Sequence, residues 1–148
     1  MFLLFTTLAF ATPQSELRQG MWMLNGWASG NVIASTPSAF SADTKTAAYH
    51  QMNIGWNLVN AGLASYALTD NKPVKPKKMA NIFWINAGLD ILYMTGGYLL
   101  RAKGMEQQKP QWVGWGESIM IQGGFLFVFD GVMGLRMQSL HRHQSHIP

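Results

Sequence analysis

The chain contains no cysteine. That excludes a disulfide framework, a zinc ribbon, a thiol nucleophile and a c-type haem attachment. Charge is also scarce. Asp, Glu, Lys and Arg make up 12% of the 148 residues, about half the ~25% usual in globular domains. An ordinary water-soluble domain needs more charge than this to cover its surface. There is no Walker loop, dinucleotide fingerprint, HExxH pair or Ser/His/Asp set in the sequence. What is present is 48% apolar residues, with ten Met, six Trp and fifteen Gly. The mean hydropathy is only +0.02, so the chain is not uniformly greasy. Its length is that of one domain.

The charges are also absent from particular places. None lies between Gln19 and Ala42, or between Thr46 and Thr69. Met79 to Leu100 holds only Asp90, and Pro110 to Leu135 only Glu117 and Asp130. A bilayer core is crossed by ~20 helical residues, and each window is 22 to 26 long. The expectation is an all-α fold: a four-helix transmembrane bundle, up-down-up-down with short loops. The alternative is a soluble all-α bundle, but solvated helix faces should carry charges.

Local chemistry sets the helix ends. Thr12-Pro13 caps and opens the first helix, and Pro37 stops it near Ser35. Asp43 caps the second, which runs toward Leu68. The third is expected from near Lys78 to Arg101, with Gly104 beyond it. The fourth runs from Pro110 to about Leu140. Residues 1–12 form an apolar segment, read as partly embedded, although Ala9-Phe10-Ala11 fits a signal cleavage site. Residues 141–148 read as a solvated tail carrying His141, His143 and His146.

Seven basic residues (Arg18, Lys72, Lys75, Lys77, Lys78, Arg136 and Arg142) fall on one side of such a bundle. Four (Lys45, Arg101, Lys103 and Lys109) fall on the other. The positive-inside bias then puts both termini in the cytoplasm. The aromatic residues Tyr66, Trp84, Tyr98, Trp112 and Trp115 suit the two interfacial belts. The expected partners are the lipid bilayer and a homo-oligomer or larger membrane complex. The lysine-rich loop reads as an orientation signal, so nucleic acid is not expected.

The spans carry an unusual number of amides. His50, Asn53, Asn57 and Asn60 fall within an arc of about 80° on the second helix. Asn86, Asp90, Tyr93 and Gly97 fall within about 60° on the third. Asn25 and Ser29 share a face of the first. Facing lipid, such groups would go unsatisfied at several kcal/mol each. Helices two and three are therefore expected to turn these stripes toward each other, around a network containing Asp90. The tetrapeptide Asn60-Ala61-Gly62-Leu63 recurs as Asn86-Ala87-Gly88-Leu89, by internal duplication or by chance. Gly116, Gly123, Gly124, Gly131 and Gly134 give the fourth helix a small-residue side. Gly26 and Gly30 do so on the first helix, and Gly55 and Gly62 on the second. Close helix packing is the expected use.

The run from His50 through Asn60 (HQMNIGWNLVN) resembles the signature of a family of small four-helix bacterial membrane proteins. Asn86-Ala87-Gly88-Leu89-Asp90 and the segment from Gln122 to Asp130 are similar to its later parts. The resemblance spans about Gly20 to Gly134. It implies the four-helix fold and a bacterial inner-membrane setting. That family is a domain of unknown function, so the resemblance implies no activity.

Intramembrane acids are functional candidates by default. Asp90 leads: protonated, it joins a structural network, and deprotonated, it binds a cation or relays protons. Glu117 and Asp130 read as packing or interface residues, Asp130 within reach of Arg136, with the acids at different depths. His50 reads as a hydrogen-bonded histidine, with haem ligation the weaker alternative. Gln122 and Asn25 complete the polar set. The leading expectation is a non-enzymatic structural or accessory membrane subunit without a cofactor. Next comes a protein that binds or transports a small solute, a cation or a proton through the stripe around Asp90.

Overall fold

The computed structural model describes residues 12–145. The segment expected to be partly embedded and His146 lie outside the described residues, apart from Thr12. Among the described residues there are four α-helices: α1 (Pro13–Ser35), α2 (Thr44–Thr69), α3 (Pro76–Glu106) and α4 (Pro110–Ser145). A 3-10 turn, Pro37–Phe40, follows α1. There is no strand among the described residues.

The caps form where side-chain chemistry puts them. Thr12 accepts from Ser15 N, and the Ser15 hydroxyl in turn accepts from Thr12 N, a reciprocal capping box. Asp43 accepts from Thr46 N at 2.7 Å. Pro76 opens α3 two residues earlier than expected, and α3 runs five residues past Arg101. Gly104 therefore lies inside the helix. A Cβ there would sit 2.8 Å from Val113 N and 2.9 Å from Trp112 Cβ, so the tight α3–α4 connection requires glycine at this position. Gln108 makes that turn with a φ of 53°. α4 continues through His141 and His143 to Ser145 instead of ending at Leu140.

Polar contacts join the helix ends. At one end, Arg136 of α4 pairs with Glu16 of α1 at 3.0 Å. Arg18 of α1 donates to Leu68 O of α2 at 3.1 Å. At the other, Glu117 of α4 pairs with Lys45 of α2 at 3.0 Å and Arg101 of α3 at 3.1 Å. Successive helices therefore alternate in direction.

The most extensive contact is α3 with α4, followed by α1 with α2 and α2 with α4. Glycine explains the first. A Cβ on Gly97 would lie 2.9 Å from Gly116 O, and one on Gly116 only 2.5 Å from Gly97 O. Gly123 and Gly134 pack on Met94 and Trp84. Gly131 faces open space, and so do Gly26, Gly30, Gly55 and Gly62. The expected glycine packing thus holds for part of α4 and not for those positions of α1 and α2.

α4 is the one helix among the described residues long and apolar enough to cross a membrane. Buried Asn53, Asn57 and Asn60 lower the hydropathy of α2. Inside, the core joins Met21, Leu24, Phe83, Leu126, Phe129, Met133 and Met137 to a set of buried polar side chains.

A candidate binding cleft between α2 and α3

The α2 stripe does not face α3. Asn53 donates to Ser35 Oγ at 2.7 Å and to Asn31 Oδ1 at 3.2 Å, both on α1. Its own Oδ1 accepts from Gln122 Nε2 of α4 and from Asn57 Nδ2 at 3.0 Å. Trp27 Nε1 donates to Gln122 Oε1 at 3.2 Å. The Trp27 ring stacks on Phe125, with centroids 3.9 Å apart. His50 Nδ1 and Ser35 Oγ lie 3.0 Å apart, which ties one ring nitrogen into the same network. Asn25 is elsewhere on α1, donating to Ser65 Oγ at 2.8 Å. The α1 partners Trp27, Asn31 and Ser35 repeat every four residues. That spacing is visible in the sequence, but it gives no sign that α4 would supply the third wall.

The α3 stripe faces α4 as well. Asp90 lies beside Asp130, and Asn86 is also next to Asp130. This corrects two expectations. Asp130 does not reach for Arg136, which Glu16 occupies, and the two acids share one depth. In the α3–α4 hairpin, Asp90 and Asp130 stand at similar distances from the connecting turn, so antiparallel packing aligns them. Glu117 sits apart, at the end of the bundle, with its two basic partners.

With Asn53 drawn to α1 and α4 and Asp90 set beside Asp130 of α4, α2 and α3 stand apart, and Asn60, Asn86 and Tyr93 border the gap. Between them lies a cavity of about 960 Å³. Met52, Trp56, Val59, Asn60 and Leu63 wall it from α2. Ile82, Asn86, Leu89, Asp90 and Tyr93 wall it from α3. Its floor is Leu126, Phe129 and Asp130 of α4, with Leu17, Met21 and Leu24 of α1. The two Asn-Ala-Gly-Leu tetrapeptides thus contribute Asn60, Leu63, Asn86 and Leu89 from opposite sides. Trp56 and Tyr93 meet edge to face across the cleft, with centroids 5.0 Å apart. Bulky rims hold the walls open. Val59, Leu63, Leu89 and Tyr93 are exposed, so the mouth opens sideways between the helices.

Among the described residues, four buried side-chain atoms have no hydrogen-bond partner: Asn57 Oδ1, Ser118 Oγ, Asn60 Nδ2 and Asp90 Oδ2. The last two belong to residues that line the cavity. Among the described residues, no group of three His, Asp or Glu side chains could hold a metal ion.

A family model described as a family of unknown function (DUF6992) matches residues 23–131. No curated protein and no solved structure matches the chain. The matched span includes every residue of the amide network and the acid pair, and it stops short of Glu16 and Arg136.

Proposed function

We propose that this chain, which belongs to the family of unknown function DUF6992, is an integral membrane protein that binds a ligand in the cleft between α2 and α3. It acts as a binding protein rather than an enzyme. The observation that carries the reading is a sideways-opening apolar cavity with buried, unpartnered polar atoms among its lining residues.

The membrane setting rests on an inverted distribution of polarity. Asn53, Asn57, Gln122, Asp90 and Asp130 are buried, while Ile33 is 74% exposed, Leu92 65% and Ile85 64%. Water would penalise that outer surface, and a bilayer matches it. The seven-to-four division of basic residues supports an orientation with both termini in the cytoplasm. A chain that stays monodisperse in detergent-free buffer would overturn this setting.

Gly55 lines the cavity, and a Cβ there would meet nothing within 4 Å. Gly55→Phe should therefore fill the cleft without disturbing the helices. Native mass spectrometry of gently solubilised protein should show an adduct on the wild type that is lost from Gly55→Phe. Equal adducts on both, with equal melting temperatures, would count against the cleft.

A second reading, an accessory subunit in a larger assembly, has its own observation. Trp22, Gly26, Gly30 and Ile33 are exposed on α1, and nothing lies within 4 Å of a Cβ at either glycine. Small residues on an outer face let a second helix approach. Because the chain has no cysteine, Gly30→Cys gives a single reporter. Crosslinking to a neighbouring chain in native membranes supports this reading, and its absence at Gly26→Cys as well would remove it.

A further inference from the structure

Resting on the cleft-binding reading, we infer that the occupant is an anionic phospholipid of the bilayer, with one acyl chain in the cleft and its phosphate headgroup at Lys75, Lys77 and Lys78. Three observations carry this inference.

The first is shape. On α2 the cavity runs from Gln51 to Ala67, and on α3 from Met79 to Tyr93. The two helices are antiparallel, so Ala67 and Met79 mark one end, and Gln51 and Tyr93 the other. Trp56 and Tyr93 meet across the cleft and bound the stretch that reaches Ala67 and Met79. By the helical rise of ~1.5 Å per residue, that stretch is about 17 Å long on α2 and about 21 Å on α3. One leaflet holds about 15 Å of hydrocarbon, half of the ~30 Å core. An acyl chain entering at the Ala67–Met79 end therefore fits before it meets the aromatic pair.

The second is the place of the charges. No Lys or Arg lines the cavity, so a charged head finds no counter-ion along the walls. Lys75 is the N-cap of α3, and Lys77 and Lys78 lie in its first turn, just before Met79. Lys78 precedes the wall residue Ile82 by four positions and so falls on the same side of α3. All three lysines are exposed, and among the described residues none is paired with an acid. The far end differs. Lys45 and Arg101 are both held by Glu117 there, and Lys103 lies about 15 Å along α3 beyond Tyr93. An apolar slot with free cations at one end complements an acyl chain that ends in a phosphate. Basic clusters beside membrane spans attract anionic headgroups in this way. A cationic head would meet like charge.

The third is access. The mouth is rimmed by exposed Val59, Leu63 and Leu89, so in a bilayer the route in is sideways, from the acyl chains. A lipid enters by that route with its head still at the interface, where the long lysine stems carry their amines.

The test uses the full chain in phosphatidylcholine nanodiscs doped with one photoreactive lipid at a time. Phosphatidylglycerol, phosphatidylcholine and a free fatty acid each carry a diazirine in the same acyl chain. Labelling is read by peptide mass spectrometry at Val59, Leu63 and Ile82 of the cleft, against Val128, an exposed α4 residue outside the cavity. An anionic head gains about fivefold per lysine engaged, so two engaged lysines favour phosphatidylglycerol over phosphatidylcholine by about twenty-fivefold in the cleft. Lys78→Gln alone should lose about fivefold of that preference. Lys75→Gln, Lys77→Gln and Lys78→Gln together should abolish it while the phosphatidylcholine probe still labels the cleft, which shows that the variant is folded. Equal cleft labelling by the two phospholipids overturns the headgroup assignment and leaves the cleft-binding reading standing. So does a preference that survives the triple substitution or is equally strong at Val128. Stronger cleft labelling by the fatty acid also overturns it, in favour of a free acid. If no probe labels the cleft above Val128, both readings fall.

Discussion

Gln122 of α4 donates its side-chain amide to Asn53 Oδ1 of α2, while its own Oε1 accepts from Trp27 of α1. One side chain on the fourth helix thus ties together the first two. Gln122 is 1% exposed, so no solvent replaces what it supplies. Gln122→Leu should destabilise the fold by about 1–2 kcal/mol, the range for lost hydrogen bonds in such a setting. Unfolding by SDS titration in mixed micelles measures it. A variant as stable as the wild type would show that the network carries no net stability.

The α3–α4 interface makes a sharper prediction. In Gly116→Ala the new methyl meets backbone at Gly97 O and Arg101 N, at 2.5 and 2.6 Å. Backbone cannot step aside as a flexible side chain does, so the helices must separate. The expected loss is about 1–3 kcal/mol, typical of overpacking. Gly131→Ala meets nothing within 4 Å and should gain up to about 1 kcal/mol from helix propensity. Opposite signs on one helix, in the same unfolding assay, are the signature to seek.

The first turn of α2 predicts a dependence on pH. The hydroxyl and backbone N–H of Thr46 bond Asp43 and hold its carboxyl below the usual value, which is about 4. With the folded value depressed, the stabilisation is present above the unfolded value and is lost as pH falls through the folded one. Asp43→Ala should therefore melt below the wild type at pH 7, and the gap should close near pH 2. A gap unchanged between the two conditions would assign the cap's effect to something other than the ionised carboxylate.

Glu16 and Arg136 join the start of α1 to the end of α4 at 3.0 Å, and both side chains are largely covered. A double-mutant cycle with Glu16→Gln and Arg136→Met should return a coupling of about 1 kcal/mol, above the typical exposed pair. Additive effects of the two substitutions would mean that the pair holds nothing.

The acid pair gives a last contrast. Asp130→Asn keeps a donor and an acceptor beside Asp90 and should leave the melting temperature close to the wild type. Asp130→Leu keeps neither and leaves Asn86 as well as Asp90 facing an apolar group; it should cost about 1–3 kcal/mol. Equal melting of the two variants would show that the contact between the acids is incidental.

Much of the fold is legible before any coordinates. Thr12, Asp43 and Pro110 mark helix starts within a residue of where they occur. The segment around His50 to Asn60 carries a resemblance that the family match bears out. The polar arcs on α2 and α3 are also legible, and all of Asn53, Asn57, Asn60 and Asp90 are buried. The partners of those arcs are not. Periodicity states which residues share a side of one helix, and it leaves open which neighbour that side meets.

What the residues alone determined is therefore the number of helices, where α1, α2 and α4 begin, and the demand that the amides be hidden. What only tertiary packing decided is where they hide. Gly97, Gly116 and Gly123 let α3 lie close against α4, and Gln122 draws α2 to the same helix. With Asn53 and Asn57 tied into the network of α1 and α4 and Asp90 set beside Asp130, Trp56 of α2 and Tyr93 of α3 are left to meet across the gap and hold the cleft open. The distance between two helices depends on side-chain volume at their contact, a property of pairs of helices that no single stretch of sequence contains.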